Sequence, residues 1–145
     1  MDSMIRAMKE ADKDCVIEMM RGFYASPAVW SNGSEEIFQT DVENCIGDCP
    51  FIEGYVFEDG NDLQGYAMVA KSFSTEFGKP CIWIEDVFVK SEYRDLGIGS
   101  RFLRYIEEQY PNAVFRLEVE AENEMAVHVY KKAGYEFLPY MEMKK

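Results

Sequence analysis

The chain has 145 residues and is 48% hydrophobic, 14% aromatic and 29% charged. This length and composition predict one folded domain, spanning residues 1–145, with a single hydrophobic core. The formal net charge of −12 repels phosphate backbones, so it argues against nucleic acid as a partner and mildly favours cationic substrates.

The first residues show no apolar segment followed by a small-residue cleavage site, so no signal peptide is predicted. No apolar run approaches the ~20 residues that a membrane span needs, so a membrane is not an expected partner. The cysteines, Cys15, Cys45, Cys49 and Cys81, lack the pair-of-pairs spacing of a metal site. We therefore predict no bound metal and interpret them as small, reduced core residues of a cytoplasmic protein.

The first half of the chain predicts a strand, two helices and a β-hairpin. The strand covers residues 4–8, and an acidic first turn opens a helix over 12–24. Pro27 stops that helix in an aromatic-rich loop over 24–32, after which Ser34 is the predicted N-cap of the second helix. Apolar residues recur at helical spacing in both helices and are predicted core: Val16, Met19, Met20, Phe23, Ile37, Val42, Cys45 and Ile46.

Two further strands, over 51–57 and 63–73, flank an acidic Gly-Asn turn that is a strong hairpin signal, because both residues tolerate positive φ. The remaining predicted elements are a strand over 81–90, a helix over 99–110, a strand over 113–120, a helix over 123–132, and short closing strands over 135–138 and 140–143. The order is β-α-α-β-β-β-α-β-α-β-β. This predicts a mixed α/β (α+β) fold with an antiparallel first half and crossover helices in the second half.

Two adjacent carboxylates, Glu85 and Asp86, interrupt a strand that is apolar on both faces, as interior strands are. An unpaired carboxylate there costs several kcal/mol of free energy or acquires a raised pKa. Adjacent strand residues point to opposite faces, so one acid is expected on each side. Either a bulge or a buried Arg or Lys partner accommodates the two acids without catalysis, or one of them is a general base with a raised pKa.

A glycine-rich turn, with Gly97 and Gly99, follows this strand and opens a helix. Such a junction exposes backbone N–H groups at the positive end of a helix, which suits a phosphate. It is not a mononucleotide P-loop, because Ser100 follows Gly99 where that motif has lysine, and Phe102 occupies the third small position of a dinucleotide fingerprint. A plain tight turn remains the alternative, although Arg94 adds a donor near the expected anion.

The last helix places Asn123, Ala126 and Tyr130 on one face, at i, i+3 and i+7. Polar, small and phenolic side chains in this arrangement either line one side of a groove or belong to a half-buried helix with a packing tyrosine. His128 points away from that face, so we interpret it as a surface or structural residue and not as a catalyst.

Taken together, these motifs resemble the GNAT (GCN5-related) N-acetyltransferase family. The pattern Arg-x-x-Gly-x-Gly leading into a helix resembles the acetyl-CoA loop of that family, and N-x-x-A-x-x-x-Y-x-K-x-G-Y over 123–135 resembles its second signature. The stretch IEDVFVKSEYRDLGIGS, residues 84–100, is similar to the spermidine/spermine acetyltransferase branch. The resemblance extends from about residue 4 to the C-terminus.

The resemblance implies acetyl-CoA as the cofactor, bound where the central strands splay apart. Main-chain groups of Val87, Phe88 and Val89 would pair with its pantetheine arm. Backbone N–H groups of the turn would hold its pyrophosphate: Arg94, Asp95, Leu96, Gly97, Ile98, Gly99 and Ser100. Asp95 departs from the family, which usually has glycine or a basic residue there, so its carboxylate is expected to point to solvent or to cap the helix.

The resemblance also gives roles to the last helix and to the strand acid. Asn123 would bond the cofactor arm beside Ala126, and Tyr130 would lie near the sulfur. A primary amine, with a pKa near ~10, is mostly ammonium at neutral pH, so Glu85 would remove a proton directly or through a water. The N–H of Val87 would stabilise the oxyanion. Tyr130 would protonate the departing thiolate, whose free pKa is ~8.5.

The expected acceptor is a primary amine of a small molecule, such as a polyamine or another cationic amine. The candidate walls of its pocket are Tyr24, Trp30, Glu85, Asp86 and Glu118. Two other functions stay open: a non-catalytic acyl-CoA-binding or regulatory domain, and an acetyltransferase acting on peptide or protein amines. A homodimer is the expected assembly.

Overall fold

The structure is a computed structural model that describes residues 4–31 and 33–145, so Asn32 of the predicted loop lies outside the described residues. Within these ranges the strands are β1 (Met4–Ala7), β2 (Ile52–Asp59), β3 (Asp62–Ser74), β4 (Lys79–Val89) and β5 (Val114–Leu117). The α-helices there are α1 (Lys13–Tyr24), α2 (Glu35–Ile46), α3 (Ile98–Gln109) and α4 (Glu124–Lys132). The predicted mixed α/β class is confirmed.

The strands form one sheet in the order β1-β2-β3-β4-β5. The first four strands pair antiparallel with their neighbours, and β5 joins β4 in parallel. The β2–β3 hairpin turns at Gly60, whose φ of +62° is the left-handed conformation expected of that turn. None of the helices in the described residues combines the length and apolar character that crossing a membrane requires.

Each face of the sheet carries its own hydrophobic cluster. On one face α1 and α2 bury Val16, Met20 and Val42 against Tyr66 and other residues of β2 and β3. On the opposite face α3 buries the three residues predicted for it, Phe102, Leu103 and Ile106, against β2, β3 and β4. The sheet therefore separates the α1–α2 layer from the α3 layer.

The start of α2 confirms one local prediction and corrects another. Ser34 is the N-cap, and its Oγ accepts a hydrogen bond of 3.2 Å from the N–H of Ile37. Ile37 itself is 50% exposed, whereas Phe38 is 3% exposed. The prediction that Ile37 belongs to the core was wrong because one residue is about 100° of helical rotation, and the buried face runs through Phe38 and Val42.

The two predicted closing strands are absent from the described residues, because 135–145 contains no strand. Contacts other than strand pairing hold this tail. The N–H of Tyr135 donates to the carbonyl of Tyr130 at 3.0 Å, and the hydroxyl of Tyr140 donates to Oε2 of Glu76 at 2.6 Å. The observed order is therefore β-α-α-β-β-β-α-β-α, and β5 is the last strand of the sheet.

Candidate active site

The parallel strands β4 and β5 separate part of the way along the sheet. They pair from Cys81 opposite Val114 to Ile84 opposite Leu117, where β5 ends, and β4 continues to Val89. This is the predicted splaying of the central strands. Two neighbouring cavities open there, with volumes of about 570 Å³ and 940 Å³.

The two cavities are the ends of one cleft, because both are lined by Val87, Asn123, Ala126 and Tyr130. The larger cavity extends to the glycine turn, and its lining includes Arg94, Phe88, Val89 and Gly99. The smaller cavity extends towards the end of α1, and its lining includes Tyr24, Trp30, Glu85 and Glu118. The cleft therefore brings together most of the predicted cofactor residues at one end and most of the predicted acceptor residues at the other. Asp95, Leu96, Gly97, Ile98 and Ser100 of the turn are not in the lining of either cavity.

A β-bulge at Glu85 sets the orientation of the two adjacent acids, Glu85 and Asp86. Val69 pairs with Ile84 and the preceding Met68 pairs with Asp86, so Glu85 has no partner on β3. Ile84 packs on the α3 side of the sheet, and so does Val87. Without an extra residue, strict alternation would place residues 84 and 87 on opposite faces. The bulge therefore releases Glu85 from the ladder at the point where β5 has ended.

The two acids have different surroundings, as expected for neighbours on a strand. Glu85 lines the smaller cavity. Asp86 is 4% exposed and lies on the α1–α2 side, so the structure does not bring it to the cavity wall. The hydroxyl of Tyr24 donates to its Oδ1 at 3.1 Å, and that of Tyr66 donates to its Oδ2 at 2.8 Å. In the described part of the chain these tyrosines, and not an Arg or Lys, satisfy the buried carboxylate.

Burial raises the pKa of both carboxyl groups. For Glu85 the largest cause is desolvation, followed by the negative charges of Asp86, Glu142 and Asp41. For Asp86, desolvation outweighs the two tyrosine hydrogen bonds, which favour the charged form, and the pKa rises to about 6. Glu85 still has solvent contact, so it can exchange a proton at the mouth of the cleft.

The smaller cavity has an acidic wall. Its carboxylates are Glu85, Glu118 and Glu120, and none of the described residues that line it is Lys, Arg or His. Trp30 lies at its rim, with its side chain 81% exposed. This environment favours a cationic ligand over an anionic one.

The free edge of β4 presents main-chain groups to the cleft. The N–H of Lys90 donates to the carbonyl of Gln64 on β3 at 2.8 Å. Main-chain groups alternate sides along a strand, so those of Phe88 also face β3, and those of Val87 and Val89 face away from it. Of the three predicted cofactor-binding residues of the strand, Phe88 thus contributes its side chain to the cavity wall and not its main chain.

The glycine turn is built as an open helix N-terminus. Gly97 is the N-cap of α3 with φ of +78°, and none of the side chains in the described residues caps it. The N–H of Arg101 makes a helical bond to the carbonyl of Gly97 at 3.0 Å, so the N–H groups of 98–100 precede the first helical bond. Ile98 is buried and anchors the turn, which leaves these N–H groups as candidates for holding an anion.

Arg94 and Asp95 flank this turn differently. The Nε of Arg94 donates to the carbonyl of Val89 at 2.9 Å, and its guanidinium lies 5.6 Å from the centre of the Phe88 ring. This folds the arginine back over the mouth of the larger cavity. Asp95 is exposed with φ of +64°, so its carboxylate points to solvent, and Leu96 beside it is exposed as well.

Helix α4 forms the opposite wall of the cleft. Asn123 is its N-cap, and the side-chain oxygen accepts a hydrogen bond of 3.3 Å from the N–H of Ala126. The cap leaves the amide NH₂ of Asn123 available to a ligand. Tyr130 is half-buried against Tyr135, with ring centres 6.0 Å apart, and burial raises its pKa. His128 is exposed.

Tyr66 is the residue of this site that the sequence did not single out. Its side chain is fully buried in β3, and its hydroxyl reaches Asp86. A tyrosine inside a continuous apolar strand needs a partner for its hydroxyl. That requirement is the sequence signal that could have identified it.

Known proteins match both the sequence and the fold. The protein-family model described as "Acetyltransferase (GNAT) family" matches residues 16–135. Thialysine N-epsilon-acetyltransferase of Sus scrofa is 32% identical over 144 residues, covering 90% of this chain and 82% of that protein. Its Bos taurus counterpart is 31% identical over 152 residues, covering 96% and 87%.

Two solved structures illustrate the likeness of fold. A possible acetyltransferase from Clostridium difficile 630 superposes with a TM-score of 0.85 at 21% identity, covering 100% of this chain and 97% of the other. An aminoglycoside N-acetyltransferase in complex with CoA superposes with a TM-score of 0.77 at 14% identity, covering 99% and 93%.

Proposed function

The chain belongs to the GNAT acetyltransferase family and is an N-acetyltransferase, and on that premise we propose its substrates and catalytic residues. It transfers an acetyl group from acetyl-CoA to a primary amine of a small cationic molecule. Glu85 is the general base and Tyr130 the general acid. The observation that carries this proposal is the bulge, which puts Glu85 in the cleft where the two cavities meet the free edge of β4.

The residues of the larger cavity fit the proposed cofactor. The N–H of Arg94 already donates to the carbonyl of Ser91 at 3.4 Å. The N–H groups of 95–100, together with the side chain of Arg94, suit a pyrophosphate. The free edge at Val87 and Val89 suits the amide groups of a pantetheine arm, and Asn123 lines the same cavity from α4. When bound, acetyl-CoA supplies an activated acetyl thioester. The chain's own residues position the amine next to it and move the protons.

Glu85 and Tyr130 have opposite proton tasks. Desolvation raises the pKa of Glu85, which makes its carboxylate a stronger base than an ordinary glutamate. It takes a proton from the incoming ammonium group, directly or through a water. Burial raises the pKa of Tyr130, so its hydroxyl keeps its proton across the neutral range and can give it to a departing thiolate.

The acidic wall of the smaller cavity supports a cationic acceptor. Two relatives are named for acetylating a nitrogen of thialysine, and one structural neighbour is named an aminoglycoside N-acetyltransferase. Both names agree with amine acetylation, and a polyamine also fits a wall that carries Glu118 and Glu120 beside the base. We further propose a cytoplasmic homodimer without nucleic-acid or membrane partners. The net charge of −12 supports the absence of nucleic acid.

A panel of acceptors tests this function. We expect CoA release from acetyl-CoA with diamines, polyamines, thialysine and aminoglycosides, and markedly less release with anionic amino acids and with peptide lysines or N-termini. Calorimetry with CoA alone runs in parallel. Heat on binding CoA without acetyl transfer to any amine would favour a non-catalytic acyl-CoA-binding domain. Faster turnover on peptides than on small amines would favour an acetyltransferase that acts on peptide or protein amines. Absence of CoA binding would contradict the proposal itself.

Replacing Tyr130 with phenylalanine should slow turnover by about 10- to 100-fold, the lower end of the range for general acid–base catalysis. The effect is modest because a thiolate with a pKa of ~8.5 needs little help to leave. Steady-state kinetics measures it. Tyr135→Phe is the matched control, since Tyr135 packs against Tyr130 but its buried hydroxyl has no partner in the described residues. Equal rates in the two variants would reassign the acid.

Replacing Asp95 with asparagine should tighten CoA binding by about two- to five-fold at low salt. The change removes a negative charge beside the proposed pyrophosphate site, and the gain should shrink as salt screens it. Asparagine tolerates the φ of +64° at this position. Asp95→Ala removes the same charge but should also lower the free energy of unfolding by about 1 kcal/mol, because alanine does not adopt that conformation readily. If the gain in CoA affinity of Asp95→Asn did not depend on salt concentration, the bound anion would lie away from this turn.

A further inference from the structure

We propose that Asp86 is a positioning residue for the general base, and that it acts through two hydrogen bonds that fix the bulge at Glu85. The unit consists of Tyr24, Asp86 and Tyr66, and we name it the Asp86 clamp. The inference rests on the proposed role of Glu85 and adds to it a reason why this carboxylate, and not its neighbour, faces the cleft.

The strand has two ways to shift its register between residues 84 and 87. If Glu85 is the extra residue, Asp86 lies on the α1–α2 face, as observed. If Asp86 were the extra residue, Glu85 would lie on that face and Asp86 would be released towards the cleft. Both registers leave Ile84 and Val87 on the α3 face. The choice between them therefore depends on which carboxylate the α1–α2 face can accommodate.

The Asp86 clamp favours the register in which Glu85 is the extra residue. Tyr24 comes from the end of α1 and Tyr66 from β3, and they donate to different oxygens of the Asp86 carboxylate, at 3.1 Å and 2.8 Å. Two donors on separate elements fix both the position and the rotation of the group. Because Asp86 is 4% exposed, a longer glutamate side chain in its place would have to repack its surroundings.

The clamp also connects the base with the wall of the acceptor cavity. Tyr24 lines the smaller cavity, and its hydroxyl donates to Asp86. Phe23 packs edge-on against both Tyr24 and Tyr66, with ring centres 5.3 Å and 6.4 Å apart. A change at Asp86 should therefore reach Glu85 through the backbone and the acceptor site through Tyr24.

The negative charge of Asp86 also affects the pKa of Glu85, and this effect can be measured. The acidic groups around Glu85 come from three elements: Asp86 on β4, Asp41 on α2 and Glu142 in the C-terminal tail. Glu118 and Glu120 line the same cavity. Asp86 has the largest effect of these charges on the pKa of Glu85. Neutralising Asp86 should consequently lower that pKa, which a purely structural residue would not do.

The first test is Asp86→Asn, which keeps the shape of the side chain and removes its charge. The folded-state pKa of Asp86 is raised from 3.8 to about 6, so the folded protein holds this proton more tightly than the unfolded chain does. Stability therefore falls as the pH rises from about 4 to about 6, and ionised Asp86 is a cost at pH 7.5. The Asn variant is thus expected to fold at pH 7.5.

In Asp86→Asn, carbon-detected NMR titration of the Glu85 carboxyl should give a lower pKa than in the unaltered protein, and the acid limb of kcat/KM should move to lower pH with it. The CoA dissociation constant should stay within about two-fold. In Tyr66→Phe, which removes one hydrogen bond of the clamp, we expect kcat to fall by about five-fold or more.

The matched control is Tyr55→Phe. Tyr55 is also a buried tyrosine whose hydroxyl donates to a carboxylate, Glu53, at 2.8 Å, but it lies outside the cleft. Equal kcat values for Tyr66→Phe and Tyr55→Phe, or an unchanged pKa of Glu85 in Asp86→Asn, would overturn the clamp. The NMR titration needs no acceptor, so it tests the clamp even if the amine panel shows that the proposed function is wrong.

Discussion

Replacing Glu85 with glutamine should lower kcat by about 10²- to 10⁴-fold, the range that general acid–base catalysis contributes. Glutamine has the shape of glutamate and cannot accept the proton of an ammonium group. The CoA dissociation constant should change by less than two-fold, because the turn and the free edge of β4 that would hold the cofactor are unaltered. Steady-state kinetics over an acceptor series, together with calorimetry, measures the two effects separately.

The pH dependence of the unaltered enzyme provides a second measurement of this role. The pKa of Glu85 is raised above its ordinary 4.5, so a larger fraction of the carboxyl is protonated at any acidic pH. The acid limb of kcat/KM should therefore lie at higher pH than for an ordinary glutamate, and it should disappear in Glu85→Gln.

Glu118→Gln is the control for charge, since Glu118 lines the same cavity. It should raise the KM of a cationic acceptor several-fold and leave kcat within about two-fold. If Glu85→Gln also changed only KM, the carboxylate would bind the ammonium group without taking its proton.

Local chemistry made much of the fold predictable. The helix starts at Ser34 and Asn123 and the left-handed glycine at 60 depend on one or two residues each, and the structure has them as predicted. The glycine turn of α3 belongs to the same class. These signals are reliable because the capping oxygen or the positive φ is a requirement of the neighbouring backbone.

The tail was harder to predict because its pattern is ambiguous. The sequence after Gly134 predicts two short strands separated by Pro139, but Met141 and Met143 are more than nine-tenths exposed. A strand needs a neighbour to pair with, and a short apolar segment does not supply one. The tail is instead attached at single points, such as the bond from Tyr140 to Glu76.

The bulge corresponds to a shift in the apolar pattern of the sequence, which a strict alternation of faces does not take into account. Residues 82–89 read Ile-Trp-Ile-Glu-Asp-Val-Phe-Val, two copies of an aliphatic-aromatic-aliphatic triplet around two acids. Ile82 and Ile84 face α3, and so do Val87 and Val89, which requires one extra residue between the triplets. The phase shift predicts a bulge at residue 85 or 86. It does not say which acid faces the cleft, because that depends on Tyr24 and Tyr66, which are distant in sequence.

Replacing Gly65 with alanine should destabilise the protein by roughly 3–5 kcal/mol or prevent folding, near the upper end of single-substitution effects. Gly65 lies on β3 opposite Val89. A methyl group there would overlap the main-chain oxygen of Phe88 and come within 2.9 Å of the ring of Phe57. A backbone oxygen cannot rotate away, so β3 and β4 would have to separate behind the proposed cofactor edge. Urea unfolding followed by circular dichroism measures the loss.

Gly60→Ala separates this steric effect from backbone strain. Gly60 has φ of +62° in the β2–β3 turn, and no atom of residues 4–31 or 33–145 lies within 4 Å of an added methyl group. Only the conformational cost of about 1 kcal/mol is therefore expected. A Gly65→Ala protein as stable as Gly60→Ala would mean that β3 and β4 can move apart without loss of stability.

If Gly65→Ala folds, its CoA dissociation constant should still rise at least several-fold, because displacing Phe88 also moves the edge formed by Val87 and Val89. The close approach of two strands at a glycine thus links the stability of the sheet to the shape of the cleft.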